Sequence, residues 1–263
     1  QQCRAFSAEL SLRLEQIRAG DTMSHSDVQH ICGKLNHYSA ALQAGRIHTR
    51  SWYIYSVYLD RTTAEWLNKL LADSSWWIDV LDKWGRGDVD CRNIPILNAA
   101  VLKADPDLIQ CTVGDASGPD GLGYYYGSLD DHNPTFVARQ WLPEELFYSS
   151  THAELKVLAE RIARLPDDSS CVMIWVTDSL AAAYMANKGT ARTLHDTELL
   201  TKLFECADRK RVQIFAVWVS RDLNTFSDFL SHLAVLSNRS SMCGKVRELA
   251  PTDATRTDTG ASK

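Results

Sequence analysis

The sequence predicts an α/β protein in which a smaller, mainly helical lobe precedes a mixed five-stranded sheet flanked by helices. Two observations predict this arrangement. Up to about residue 85, apolar side chains recur at helical spacing, whereas later three strand-like runs precede alternating helical and strand-like runs. The turn-rich stretch GRGDVDCRNIP at 85–95 separates the two parts. We therefore expect a helical lobe at 1–90, a sheet domain at 96–245 and a disordered polar tail at 250–263.

Four helical runs are expected in the first lobe. The run at 10–20 ends in Gly20, a common helix stop, and the run at 24–42 begins with Ser and Asp residues that cap helices. Amphipathic spacing continues at 50–62 and at 74–84, where SSWWIDVLDKW closes the lobe.

Five strands and four helices are expected after the boundary. The runs IQCTVGDAS (109–117) and LGYYYGS (122–128) are separated by a glycine-rich turn, and TFVARQW (135–141) follows them. The continuous apolar run CVMIWVT (171–177) is typical of a strand in the middle of a sheet, and VQIFAVWV (212–219) is the last strand. Helical patterns occupy 153–165, 179–189, 194–211 and 226–236.

The composition is that of an ordinary globular protein, with 45% hydrophobic and 23% charged residues among 263. A net charge of −5 indicates a nucleic-acid binder only where basic residues cluster locally. No apolar run approaches the length of a membrane span, and no secretory signal is evident. The seven cysteines form no CxxC pair, which argues against a zinc site or a disulfide framework and favours an intracellular protein. Because the chain starts at QQCRAF, we expect it to be part of a longer protein.

Four acids stand at the ends or beginnings of the expected elements. Asp115 lies in the first strand and Glu154 opens a long helix, while Asp178 follows the central apolar strand. Asp228 starts the last helix. Each has an ordinary alternative explanation: a turn residue for the first, a first-turn acid for the second, and helix N-caps for the other two.

The order of these four acids favours a shared site. Strand ends and helix starts converge at one edge of an α/β sheet, which is where ligands usually bind. Unpaired carboxylates brought together there would raise one another's pKa. Mg²⁺ removes this penalty, because it prefers oxygen ligands and binds through a few carboxylates and substrate phosphate oxygens.

The acids and their neighbours resemble the four-acid site of ribonuclease H. The likeness is carried by GDASG around Asp115, HAELKVL around Glu154, VTDSLAA around Asp178 and NTFSDFLSHL around Asp228. The closer likeness is to the RNase H domain of reverse transcriptases from DIRS-like, tyrosine-recombinase-type retroelements. The stretch ICGKLNHYSAALQAGR (31–46) of this chain resembles the segment that follows the polymerase palm in that group. The stretch SSWWIDVLDKW (74–84) resembles that group's Trp-rich link before the RNase H domain. The resemblance covers roughly residues 26–236.

The resemblance implies an RNase H-like fold and an endonuclease that hydrolyses the RNA strand of RNA/DNA hybrids, leaving 5′-phosphate and 3′-hydroxyl ends. Asp115, Glu154, Asp178 and Asp228 would then hold two Mg²⁺ ions, for which Mn²⁺ can substitute. Any polymerase would lie upstream or in another subunit, because the chain has no YxDD-type motif. One departure is Trp218, which stands ten residues before Asp228 where the family has a histidine that assists turnover.

Contacts to nucleic acid are expected from basic and polar residues that flank the acids. Residues 188–221 hold seven basic side chains against four acidic ones, a local surplus that fits either backbone contacts or a solvated helix face. The expected contacts are Ser117, Lys188, Arg192 and Asn224, together with Arg46 and Arg50 from the helical lobe.

Several rings and histidines have ordinary structural explanations. His48 and His152 are expected at the surface, and Trp76 and Trp77 are expected to pack between the lobes. Strand residues alternate faces, so one or two of the three tyrosines at 124–126 are expected in the core and the remainder are candidates for base stacking.

Two other hypotheses remain open. A catalytically weak or inactive remnant of the RNase H fold, acting as a scaffold or as a nucleic-acid- or protein-binding module, is favoured by Trp218 and opposed by the four retained acids. An integrase or exonuclease of the same fold superfamily would also use carboxylates and metal, but the lobe at 26–84 resembles the thumb or connection of a polymerase.

Overall fold

The computed structural model describes residues 2–88, 108–118, 120–128, 133–145 and 148–236. The expected disordered tail at 250–263 and most of the expected boundary at 85–95 lie outside these residues. Within the described part of the chain, no helix is both long enough and apolar enough to cross a membrane.

The first part of the chain forms helices α1 (Gln2–Arg18), α2 (His25–Ser39), α3 (Gly45–Tyr58) and α4 (Ala64–Gly85), with a short 3₁₀ turn at Leu59–Arg61. Side chains cap two of them: Ser24 accepts from the Asp27 N–H, and Thr63 accepts from the Trp66 N–H. α1 packs against α4, and α2 packs against α3. Their apolar faces share a buried cluster whose largest members are Trp52 and Trp77.

Five strands form one mixed sheet: β1 (Ile109–Ser117), β2 (Gly121–Ser128), β3 (Thr135–Arg139), β4 (Val172–Thr177) and β5 (Gln213–Trp218). The spatial order is β3-β2-β1-β4-β5. β1 is antiparallel to β2, and β2 to β3, whereas β1, β4 and β5 run parallel to one another. β3 ends at Arg139, two residues before the predicted end at 141. The guanidinium of Arg139 donates to the carboxylates of Glu145 and Glu160.

Four further helices flank the sheet: α5 (Ser150–Ala163), α6 (Leu180–Lys188), α7 (Leu194–Arg209) and α8 (Thr225–Leu236). Ser149, Ser179 and Thr193 cap the first three through hydroxyl groups that accept from backbone N–H groups. α6 stops at Gly189, whose φ of 60° is the left-handed conformation that glycine adopts without a steric penalty. The predicted fold class, a mixed five-stranded sheet flanked by helices and preceded by a helical lobe, is confirmed.

The helical lobe contributes side chains to the core of the sheet domain. Ala44 and Ile47, at the beginning of α3, are fully buried in the same cluster as Trp175 of β4 and Phe204 of α7. Trp76 of α4 packs against this cluster and also against the helical cluster, as predicted for a residue between the lobes.

Two glycines let helices approach the sheet closely. A Cβ on Gly114 of β1 would come within 2.6 Å of Val157 Cγ1 of α5. A Cβ on Gly123 of β2 would overlap the backbone of α8 at Leu230 and Ser231. Gly123 pairs with Asp115 across the β1–β2 ladder, so its missing side chain brings α8 close to that acid.

His48 is buried, and its prediction as a surface residue is wrong. Its Nδ1 lies 2.9 Å from Asp73 Oδ1, and its ring stacks on Trp76 at 3.9 Å between centroids. Its Nε2 lies 3.4 Å from an oxygen of Glu205 on α7. The burial follows from these partners, which lie far from His48 in sequence and leave no trace in local patterning.

Candidate metal centre

The parallel register of β1 and β4 brings two of the predicted acids to one edge of the sheet. Val113 pairs with Val176. Asp115 and Asp178 each come two residues after a member of this pair, so they lie at the same level of the sheet. Asp115 is the seventh residue of the nine-residue β1, and Asp178 comes directly after the end of β4. This edge, at the carboxyl ends of parallel strands, is where α/β sheets usually bind ligands.

Glu154, in the second turn of α5, reaches the same edge and joins the two strands. Its Oε1 accepts the Ala116 N–H at 3.2 Å, and its Oε2 accepts the Thr177 hydroxyl at 3.1 Å. Thr177 Oγ1 also accepts the Ser179 N–H at 3.1 Å. The carboxylate is buried, and these bonds fix its position relative to both strand ends.

Asp115 is held from the other side by α8. The Ser231 hydroxyl donates to Asp115 Oδ2 at 2.9 Å, and Asp115 is buried. This bond depends on the close approach of α8 to Gly123. The alternative of a turn residue is therefore wrong for Asp115, which lies within β1.

One oxygen from each of Asp115, Glu154 and Asp178 lies within 4.8 Å of the others, and we call these three residues the carboxylate trio. Burial, and then the neighbouring charge of Asp115, raise the pKa of Glu154 well above its ordinary value, and the charge of Asp178 adds to this. Burial and the charge of Asp115 also raise the pKa of Asp178. The trio is thus costly to ionise without a counter-charge.

The donor set of the trio fits a hard divalent cation. All three side chains offer oxygen, two of them are buried, and their ligand atoms are close enough to share one ion. Mg²⁺ and Mn²⁺ prefer such oxygen donors, whereas softer metals favour nitrogen or sulfur. A bound dication also offsets the mutual repulsion that raises the pKa of these carboxyl groups.

Asp228 lies beside the trio without belonging to it. Its Oδ1 accepts from Arg221 at 2.9 Å and lies 3.9 Å from His232 Nε2. Its charge contributes to the raised pKa of Asp178, which places the two carboxylates within electrostatic reach. Its role as a fourth metal ligand stays a prediction.

Neither Asp178 nor Asp228 is a helix N-cap, so these two alternative explanations are wrong. Ser179, not Asp178, caps α6, since its hydroxyl accepts the Ala182 N–H. α8 begins at Thr225, so Asp228 lies in its first turn.

The six residues predicted to contact nucleic acid occupy different environments. The Ser117 hydroxyl donates to Asp120 Oδ2 at 3.1 Å. Asn224 is only 1% exposed, and its side chain donates to the Gly114 carbonyl oxygen at 3.3 Å, so it supports β1 from inside. The remaining four are basic residues around α3 and α6: Arg46, Arg50, Lys188 and Arg192. Nucleic-acid contact by any of the six stays a prediction.

Two basic or titratable side chains are internal where the sequence suggested exposure. His152 is buried with its Nδ1 2.9 Å from Asp196 Oδ1, so its prediction as a surface residue is wrong. Burial lowers the pKa of His152. Lys210, counted in the basic surplus, is buried and donates to the Ala163 carbonyl oxygen at 2.7 Å.

Sequence reasoning missed the residues that support the site. Ser231 and Thr177 donate to the trio, and Asp120 accepts from Ser117 and lies 2.8 Å from His232 Nδ1. One signal was available for Ser231, because it lies three residues after Asp228 on the same helix face. Asp120 was missed because only one of its partners, Ser117, is nearby in sequence, whereas the other, His232, is 112 residues away.

No protein-family model matches the sequence, and no curated protein matches it. Solved structures do match, among them the N-terminal RNase H domain of rv2228c from Mycobacterium tuberculosis, solved as a fusion with maltose-binding protein. That match has 18% sequence identity, covers 46% of this chain and 93% of that chain, and has a TM-score of 0.36. A likeness at this level carries no argument about activity, so the assignment of the fold rests on strand order and strand direction.

Proposed function

We propose that this chain is a metal-dependent endonuclease that hydrolyses the RNA strand of RNA/DNA hybrids. The observation that carries the proposal is the convergence of Asp115, Glu154 and Asp178 within 4.8 Å at the carboxyl edge of the parallel strands. The residues around them resemble those of ribonuclease H, and the strand order is compatible with that resemblance.

The residues have distinct roles in this proposal. The trio would hold divalent metal, and Asp228, whose Oδ1 accepts from Arg221, would serve as the fourth ligand. Two such ions, when bound, activate a water and stabilise the leaving oxygen of a phosphodiester. Thr177 and Ser231 keep the carboxylates of Glu154 and Asp115 oriented through their hydroxyl groups. The 2′-hydroxyl group is the feature by which such a site distinguishes RNA from DNA.

We further propose that the nuclease is the RNase H part of a retroelement reverse transcriptase. The support is the resemblance of the segments at 31–46 and 74–84 to the parts that lie between polymerase and RNase H in the DIRS-like group. On this proposal the polymerase is supplied by an upstream domain or by another subunit.

A second candidate, a catalytically weak remnant that binds without cleaving, is favoured by two contacts. Trp218 stands in the place of the usual histidine, and its Nε1 donates to the Asp178 carbonyl oxygen at 3.0 Å. Arg221 occupies one carboxylate oxygen of Asp228. Both contacts restrain the edge at which a mobile histidine would be needed for turnover.

The test is cleavage of an end-labelled RNA/DNA hybrid with Mg²⁺ or Mn²⁺ by the native chain and by Asp178→Asn. We expect cleavage by the native chain and loss to background in the variant, since an amide lacks the charge that attracts the metal. Asp79→Asn is the matched control, because Asp79 is exposed on α4 and pairs only with Lys83 among the described contacts.

The outcomes separate the two candidates. Binding of the hybrid without cleavage favours the remnant, and Trp218→His would then be expected to restore cutting. Equal cleavage by the native chain and Asp178→Asn would overturn the assignment of the trio as the metal centre.

A further inference from the structure

Four basic residues line two cavities at the junction of α3 with α6, which we call the α3–α6 seam. The larger cavity, about 770 Å³, is lined by Arg50, Tyr184, Arg192 and neighbouring residues of α6. The smaller, about 210 Å³, is lined by Arg46, Lys188 and residues of α2, α7 and β5. Neither feature is used by the proposed hydrolysis.

Within the described residues, no acidic side chain neutralises the positive charge of the seam. No acidic side chain is among the described residues that line either cavity. Among the ion pairs that the described part of the chain forms, none involves these four residues. Arg50 Nε donates to the Ala191 carbonyl oxygen at 3.0 Å, and both residues line the larger cavity. Burial and the charge of Arg192 lower the pKa of Arg50, which agrees with two like charges lying close together.

The four basic residues form two pairs along the chain, one in the helical lobe and one in the sheet domain. Arg46 and Arg50 are four residues apart on α3, so they share a face about 6 Å apart along the axis. Lys188 and Arg192 stand on either side of Gly189, where a Cβ would come within 3.2 Å of Arg46 Cβ. Each cavity therefore combines one basic residue from the helical lobe with one from the sheet domain, Arg46 with Lys188 in the smaller and Arg50 with Arg192 in the larger.

The seam begins close to the metal centre. α6 starts at Leu180, two residues after Asp178, and Leu180 itself lines the larger cavity. Tyr184, one turn further along α6, lines the same cavity and is 58% exposed, which leaves its ring free for stacking against a base.

We propose that the α3–α6 seam binds the phosphodiester backbone of a nucleic-acid strand that extends from the metal centre. This inference rests on the proposed function for its substrate class. A strand offers repeated negative charges that match a series of cations, whereas a single small anion would occupy one cavity only. The helical lobe is thereby part of the substrate-binding surface and positions the hybrid through Arg46 and Arg50.

The test is the affinity of the whole chain for a fluorescein-labelled RNA/DNA hybrid, measured by anisotropy in EDTA at several salt concentrations. Arg192→Gln and Arg46→Gln are the test variants, because both side chains are exposed and make no described bond that the fold needs. Each lost phosphate contact is expected to weaken binding about eightfold at 0.1 M salt and to reduce the salt slope by about 0.9. Arg18→Gln, an equally exposed arginine at the end of α1, is the matched control and is expected to bind as the native chain does.

The measurement separates failure of the seam from failure of the nuclease. Unchanged affinity and salt slope in both variants would overturn the seam, even if the native chain cleaves hybrids. Weaker binding by both variants in a chain that does not cleave would support the seam and reject the hydrolysis. Displacement of the hybrid by adenosine monophosphate at comparable concentration would reject a strand and indicate a site for an isolated phosphate.

Discussion

Glu154 is the residue of the site at which burial and repulsion between carboxylates have the largest effect on the pKa. Its carboxyl group is buried, and it shares the sheet edge with the charges of Asp115 and Asp178. Both effects raise its pKa above the ordinary value of 4.5, so the folded protein retains a proton there that the unfolded chain releases. The hydroxyl of Thr177 and the N–H of Ala116 fix its position but do not supply a counter-charge.

The metal-free protein is therefore expected to lose stability as pH rises from about 4.5 through the raised pKa of Glu154. Below that range the contribution is fully present, because Glu154 is protonated in both states. Glu154→Gln removes the charge and is expected to be more stable than the native chain in EDTA at about pH 8, with the difference vanishing below about pH 4.5. Thermal unfolding with and without Mn²⁺ checks this, and Mn²⁺ is expected to stabilise the native chain more than the variant.

A difference between the two proteins that is independent of pH would contradict this account. So would equal stabilisation of both by Mn²⁺, since the variant lacks one of the three charges that attract the ion. His48 and Asp208 also titrate, but they are common to both proteins and cancel in the comparison.

The order of elements follows from sequence periodicity wherever the pattern is long. The predicted strand at 109–117 has the same bounds as β1, and the continuous apolar run at 171–177 contains β4. The trio was also predictable, since strand ends in a mixed sheet meet at one edge. The partners of buried charges were not: His48 and Glu205 lie on helices of different lobes and meet only after folding.

The contact of α8 with β2 is the element-scale feature on which Asp115 depends. Gly123→Ala places a methyl group against the backbone of Leu230 and Ser231, so α8 must move away from the sheet. We expect destabilisation of about 1–3 kcal/mol, as for overpacked cores, and loss of the Ser231 bond to Asp115. Urea unfolding measures the first effect, and hybrid cleavage measures the second.

Gly33→Ala provides the comparison for Gly123→Ala. A Cβ on Gly33, inside α2, meets nothing within 4 Å, so alanine there is expected to stabilise the helix by about 0.5–1 kcal/mol. If both substitutions changed the free energy of unfolding in the same direction, the close approach of α8 to Gly123 would not be the cause of the destabilisation.

At the scale of the whole molecule, a buried charge cluster joins the helical lobe to α7. Asp73 of α4 accepts from Ser51 at 2.6 Å and contacts Lys69 and His48, while His48 also faces Glu205. Burial by itself lowers the pKa of His48, but the bonds to the two carboxylates outweigh it and raise that pKa above 6.5. Burial raises the pKa of the adjacent Asp208 to about 6.

His48→Asn is expected to destabilise the protein most at pH values below about 6.5. A raised pKa means that the stability contributed by protonated His48 is present below 6.5 and is lost as pH rises through the folded value. The variant keeps an amide near the position of Nδ1 but carries no charge, so we expect a deficit of about 1–3 kcal/mol that shrinks toward pH 9. Urea unfolding across this range checks it, and a deficit that stays constant would show that His48 acts through packing on Trp76.

The burial of Ala44 and Ile47 against Trp175 and Phe204 bears on how the chain can be recombined. A sheet domain transplanted onto a different upstream partner would lose two side chains of its own interior and expose the apolar surface beneath them. A successful chimera must therefore keep α3, or provide a helix with a small and a branched residue at those two positions. Exchange between related chains is then expected to tolerate crossovers before α3 better than crossovers after it.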